Sequence, residues 1–168
     1  MEVRRLTVAD AGLAWALRRE ALEREPASFG ESLEEFEALS VEALAARLGS
    51  GGDDSFVYGA FEGGVLAGMA GFFRETRVKR RHQGTIWGVY VSPCHRRRGV
   101  GRAVMQAVLD HARRLPGLRS VYLSVTSAEP AARDLYLSLG FRSFGIEPRA
   151  LAVDGRFYDE EHMLLELE

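Results

Sequence analysis

The chain has 168 residues, 46% apolar and 27% charged, with a formal net charge of -2. That size and composition suit one globular domain with a substantial core, and the slight acidic balance argues against a general nucleic-acid binder. No apolar run could span a bilayer, Met1-Glu2-Val3-Arg4-Arg5 lacks the apolar core of a signal peptide, and the single Cys94 cannot form an internal disulfide, so a cytoplasmic protein free of membranes is expected.

In chain order, Val3 to Leu6 reads as a first strand. Thr7 then caps a helix, with Asp10 in capping-box position and Ala11, Leu13, Ala14, Leu17, Ala21 and Leu22 supporting it to about Arg24. Phe29, Leu33, Phe36 and Leu39 recur at helical spacing in an acidic segment containing Glu31, Glu34, Glu35 and Glu37. Ser40 caps a further helix, Val41 to Leu48, and Gly49 to Asp54 is a loop. Phe56 to Phe61 and Val65 to Phe73 form a hairpin over Glu62-Gly63-Gly64, followed by a basic loop from Arg74 to Gln83. Thr85 to Val91 is an apolar strand stopped by Ser92-Pro93. From Val100 to Arg114 one apolar stripe at Val100, Val104, Ala107 and Val108 predicts a helix. Val121 to Thr126 alternates as a strand, Glu129 to Leu139 is helical, and Phe141 to Ile146 and Phe157 to Leu167 complete the strands. The order β-α-α-β-β-β-α-β-α-β-β defines a mixed α/β sheet with helices packed on it.

The stretch from Thr85 to Arg114 carries the chemistry. Between strand and helix lies Arg96-Arg97-Arg98-Gly99-Val100-Gly101. A helix start offers unpaired amides and partial positive charge, glycines admit close approach, and arginines add cationic charge, so a phosphorylated ligand is the natural guest. The Walker pattern requires Lys-Ser/Thr after the second glycine, where Arg102-Ala103 stands. The dinucleotide fingerprint requires a third glycine, where Val104 stands. An arginine-rich helix entry that only solvates a turn is the bland alternative.

What remains resembles the pyrophosphate-binding signature of the GNAT acetyltransferase superfamily, Arg/Gln-x-x-Gly-x-Gly/Ala. A second stretch, Glu129-Pro130-Ala131-Ala132-Arg133-Asp134-Leu135-Tyr136-Leu137-Ser138-Leu139-Gly140-Phe141, is similar to that family's Asn-x-x-Ala-x-x-Leu-Tyr-x-x-x-Gly-Phe, with Ala132, Leu135, Tyr136, Gly140 and Phe141 in register. The resemblance implies one GNAT-like domain over residues 1–168, with a central, mostly antiparallel, twisted sheet of about seven strands flanked by about four helices. It implies acetyl transfer from acetyl-CoA to a primary amine, on a small molecule or a peptide, by direct attack in a ternary complex, without a metal.

The same resemblance assigns roles. Arg96, Arg97, Arg98, Gly99, Val100, Gly101 and Arg102 would hold the pyrophosphate, Arg97 through Arg102 by their amides. Main-chain groups of Val89, Tyr90 and Val91 would serve the pantetheine arm and the thioester carbonyl. Tyr136 would be the general acid, since a phenol is protonated at neutral pH; alternatively it is a helix residue packing on the neighbouring strand. Glu129 replaces the family asparagine that contacts CoA, and when ionised it can accept but not donate. The glutamates that serve relatives as base are missing: Ser124 occupies one position and Trp87 stands on the central strand. His82, Glu31 and the Tyr158-Asp159-Glu160-Glu161-His162 cluster remain as proton acceptors through water. Those gaps keep open a non-catalytic CoA-binding sensor. The acidic segment Glu31 to Glu37 would favour a cationic amine, or is a solvated helix face. The run from Arg77 to His82 lacks interleaved aromatics for RNA, and Cys94 reads as a bystander thiol. A homodimer is common among relatives, and no feature of the chain decides it.

Overall fold

In the computed structural model, residues 1–167 are described. Among them one sheet of seven strands has the order β1-β2-β3-β4-β5-β7-β6. The strands are β1 (Glu2–Arg5), β2 (Ser55–Glu62), β3 (Val65–Arg74), β4 (Gln83–Val91), β5 (Ser120–Thr126), β6 (Arg142–Val153) and β7 (Arg156–Glu166). The helices are α1 (Ala11–Arg24), α2 (Leu33–Glu37), α3 (Val41–Ser50), α4 (Val100–Arg113) and α5 (Pro130–Ser138). Neighbouring strands run antiparallel except β4 and β5, which are parallel. The mixed sheet matches the expectation from the strand order, and its mostly antiparallel pairing matches what the family resemblance implies.

Three boundaries differ from the sequence reading. β6 runs to Val153, well past Ile146, because its ladder with β7 resumes at Leu151 after an irregularity beyond Glu147. β4 starts at Gln83 inside the expected basic loop, since Gln83 and Gly84 pair with Ser120 and Val121. The acidic segment forms a five-residue helix, α2, in which Ser32 and Glu35 make a reciprocal capping box. Five helices therefore stand where about four were expected.

The two faces of the sheet are covered differently. α4 lays Val104, Met105, Val108 and Leu109 on the face formed by Phe56, Phe72, Ile86, Val121 and Leu123. Its start sits close to β3 because Gly68 has no side chain; a Cβ there would fall 2.9 Å from Val100 Cγ1. On the other face α1 packs Ala14, Leu17 and Ala21 against Leu6, Leu66, Met69 and Tyr90. α1 is anchored at its entry by Asp10, which accepts two 2.8 Å hydrogen bonds from Arg4 and one from the Thr7 amide. That pairing holds the Asp10 carboxyl well below the usual carboxylate range, the Arg4 hydrogen bond being the largest cause.

Candidate active site

The site begins where the sheet comes apart. β4 and β5 pair only from Gln83 to Thr85 with Ser120 to Tyr122. Further along, Gly71 of β3 faces Trp87 while Met69 faces Tyr90, so two residues of β4, Gly88 and Val89, oppose Ala70 alone. This bulge, with Gly88 at φ +61°, bends β4 away from its parallel neighbour. A cleft of about 830 Å³ opens between the two strand edges, bounded by Val89 and Val91 on one side and Leu123 and Val125 on the other.

The cleft ends at the start of α4. Gly99 caps that helix at φ +81°, and Arg97 also sits at positive φ, +62°. Ala103 is the first residue of the helix whose amide finds a backbone acceptor, the Gly99 carbonyl at 3.0 Å. The amides of Arg97 through Arg102 have none among the described residues. They form a concave row of donors at the positive end of a fourteen-residue helix, the arrangement that binds phosphate oxygens.

The arginines of this loop divide. Arg97 lines the cleft and makes no ion pair among the described residues. Arg96 donates from Nε to the Val91 carbonyl at 3.0 Å and pairs with Glu25 at 2.9 Å. Arg98 turns to Glu62, 3.2 Å away, which His95 also contacts at 2.7 Å. Arg102 donates to Ser138 on α5 at 2.7 Å. The side chain of Tyr90 leaves the cleft: its hydroxyl donates to Glu20, leaving only its backbone for a ligand.

α5 closes the cleft from β5. Pro130 sits in its first turn, and Gly140, at φ +94°, ends it. The Phe141 amide returns to the Tyr136 carbonyl at 3.1 Å, and the Phe141 ring packs edge-on against Tyr136. This turn explains the Leu-Tyr-x-x-x-Gly-Phe spacing and fixes Tyr136 in the cleft wall. Burial first, and the charge of Glu129 second, push its phenol well above the ordinary tyrosine value, so it remains a proton donor. The Glu129 carboxylate accepts a 2.5 Å hydrogen bond from Ser28, tying α5 to the segment after α1 across the cleft mouth.

The other face of the β4 bulge looks toward α1 and α3. A second cavity of about 420 Å³ lies there, walled by Phe36, Leu44, Leu48, Val57, Met69 and Phe73, and it shares Trp87 and Gly88 with the first. Trp87 lies across Gly71, where a Cβ would fall 2.3 Å from the indole. Of the two readings of the acidic segment, the solvated helix face fits: Glu34, Glu35 and Glu37 are exposed around buried Phe36. Glu31 accepts from Arg18 at 3.1 Å, Glu37 from Arg19 at 2.8 Å, and Glu35 from the Ser32 amide at 2.8 Å. Arg18, buried and stacked 4.5 Å from the Phe29 ring centre, was not singled out from sequence; its partner is thirteen residues away.

Of the candidate proton acceptors, His82 is exposed at the far end of β4, and Glu31 is held by Arg18. His162 is placed beside the cleft: Ser124 Oγ, in the cleft wall, lies 2.8 Å from His162 Nδ1. Cys94 is exposed, and among the described residues its thiol hydrogen-bonds only with Ser92, at 3.7 Å. In the basic loop Arg74 and Arg81 both pair with Asp54, and Arg80 with Glu75.

Comparison with known proteins fits this geometry. The model of the acetyltransferase (GNAT) family matches residues 14–141. The chain belongs to that family. It is 37% identical over 97 residues to the N-alpha-acetyltransferase RimI of Mycobacterium tuberculosis, covering 58% of each chain. It is 32% identical over 112 residues to an L-methionine sulfoximine/L-methionine sulfone acetyltransferase of Salmonella typhimurium, covering 64% of this chain and 62% of that one. The chain thus spans about three fifths of these curated relatives' length. The yncA structure of Salmonella typhimurium, solved with its cofactor acetyl-CoA, superposes with TM-score 0.84 at 25% identity, over 100% of this chain and 94% of that one. No helix among the described residues is long and apolar enough to cross a membrane.

Proposed function

We propose that the protein transfers an acetyl group from acetyl-CoA to a primary amine by direct attack in a ternary complex. The observation that carries this reading is the unbroken row of free amides from Arg97 to Arg102, opening onto a cleft that passes between two strand edges. The diphosphate of acetyl-CoA sits on those amides with Arg97 beside it. The pantetheine arm lies between β4 and β5 as a substitute for missing strand pairing. Because Arg96 already holds the Val91 carbonyl, the arm is left with Val89 and the unpaired edge of β5.

The thioester then meets the bulge at Gly88 and Val89. Attack on it builds negative charge on oxygen, and a backbone amide fixed at the bulge stabilises that charge without reorganising. Tyr136 gives its proton to the departing thiolate and recovers one released from the nitrogen. The acceptor enters from the α1–α3 face, where Trp87 and Gly88 join the two cavities. That cavity is walled mainly by apolar side chains, Arg47 is its further cation, and its acid, Glu31, is engaged by Arg18. An amine on a largely apolar body therefore suits it better than a polyamine.

The test is a thermal-shift titration with acetyl-CoA, CoA and ADP, followed by thiol release with L-methionine, a peptide with a free N-terminus, and spermidine. Stabilisation that grows with either CoA species, then acceptor-dependent thiol release, is expected. No shift at saturating acetyl-CoA sinks the reading. Binding without release for any amine leaves a CoA-binding protein that does not turn over.

A further inference from the structure

An amine at neutral pH is mostly an ammonium ion and must lose a proton before it can attack. Among the described residues the acceptor side of the cleft presents no free carboxylate at the β4 bulge, but it presents a chain of three side chains. Ser124 on β5 lies in the cleft wall, on the sheet face away from α4, as its neighbours Leu123 and Val125 point into the α4 core. Its Oγ is 2.8 Å from His162 Nδ1 on β7, and His162 Nε2 is 3.1 Å from Glu147 Oε2 on β6. The backbone enforces this. Ser124 pairs directly with His162 across β5 and β7, and Gly145 faces His162 across the irregular stretch of β6, which brings Glu147 opposite Glu160.

We infer that Ser124, His162 and Glu147 form the proton exit for the acceptor amine, an inference that rests on the acetyl-transfer reading above. Neutral His162 carries its proton on Nε2, donating to Glu147, and accepts from the Ser124 hydroxyl at Nδ1. When the ammonium reaches Ser124, its N–H bond breaks as an O–H bond forms on Oγ. The original hydroxyl proton passes to Nδ1, and His162 becomes an imidazolium facing the Glu147 carboxylate. The nitrogen lone pair, now free, attacks the thioester carbonyl. His162 is partly exposed and returns its proton to solvent, so the cycle closes with one proton released per ammonium consumed. Ser124 is the group that touches substrate; His162 and Glu147 act through it.

Charged and aromatic groups border the imidazole from several elements. From β7 itself Glu160 faces it, one oxygen of its carboxylate and one of Glu147's lying within 4.8 Å of a ring nitrogen and of each other. Phe144 of β6 covers one side, its ring centre 6.0 Å away. Along the same groove stand Tyr122, Gln83, and the Glu75–Arg80 pair, whose charges offset each other. Glu161, the next residue on β7, points to the opposite face and is held by Arg133. Two carboxylates and no free cation border the ring among the described residues.

The experiment is the pH dependence of kcat, with the best acceptor of the panel above, for wild type, H162Q, S124A and E147Q. Acetyl-CoA affinity is measured on the same samples. H162Q and S124A are expected to lower kcat at neutral pH by about tenfold to a hundredfold, the low end of general-base contributions, with acetyl-CoA affinity unchanged. H162Q also loses the acidic limb of the profile. E147Q removes a negative charge beside the imidazolium, so it moves that limb to lower pH, a displacement that lost packing alone does not produce. Glu147 is exposed, so E147Q folds even where a β7 substitution does not. A limb and kcat unchanged in H162Q, or an unmoved limb in E147Q, overturns the inference. Wild type that binds acetyl-CoA but acetylates no amine fails the parent reading first. The His162 titration followed by NMR then still judges the chain: a ring unaffected by both E147Q and S124A is not linked as described, and the proposal falls.

Discussion

On the acetyl-transfer reading proposed above, the donor end and the acceptor end of this cleft are built on opposite plans. At the donor end, six consecutive residues, Arg97 to Arg102, supply the amides, and one helix supplies the field. At the acceptor end, Arg18, Glu31, Trp87, Ser124, Glu147 and His162 arrive from separate parts of the chain. Their contacts span thirteen, fifteen and thirty-eight residues. A diphosphate demands a local backbone shape, which a contiguous loop can encode. An amine with a body of its own demands a shaped wall, which only the assembled fold provides. The donor end is therefore rigid in identity, and the acceptor end is free to be rebuilt one side chain at a time.

Substitutions can break that contrast or sharpen it. The largest effect belongs to Tyr136→Phe, which keeps the packing against Phe141 and removes the proton: kcat falls about a hundredfold or more, with acetyl-CoA affinity intact in a calorimetric titration. Because the phenol is pushed up from its ordinary value, it stays protonated as pH rises, so no alkaline loss of wild-type activity up to the usual tyrosine range comes from Tyr136. An unchanged rate would leave Tyr136 as packing alone. Next comes Gly99→Val. A branched residue held at φ +81° costs about 1–2 kcal/mol and places a side chain in the path of the phosphates, so acetyl-CoA binding weakens about tenfold or more. Retained affinity there would mean the free amides are not the anchor. Smaller is Arg97→Gln, an exposed charge worth about a twofold to fivefold loss of affinity that shrinks as salt is added. A smaller loss still is expected at Arg98, whose guanidinium already faces Glu62.

Legibility followed the same division. The β4–α4 junction could be read from Ser92-Pro93, the two glycines and the stripe from Val100 to Val108, because each is a local signal. Tyr136 and Phe141 were legible because a helix end at Gly140 brings them together within one turn. Arg96 and Arg98 were legible as charges but not as partners of Glu25 and Glu62, which lie seventy-one and thirty-six residues away. The acidic segment left two readings open because composition does not say whether Glu31, Glu35 and Glu37 are engaged, whereas folding gives each a partner. His162 was one candidate among several in a polar cluster. Only the register of β5 against β7 sets it apart. The length of β6 escaped because its exposed, irregular middle carries no alternation to read.

The short parallel seam between β4 and β5 has a mechanical side. Three residue pairs join a four-stranded plate to a three-stranded one, and past Thr85 the two plates separate like the jaws of a clothes peg. A donor molecule laid along that gap touches both jaws at once. On the acetyl-transfer reading, its binding would do more than fill a groove: it would stitch the sheet across its weakest line, so the stiffness of the whole fold would report on loading.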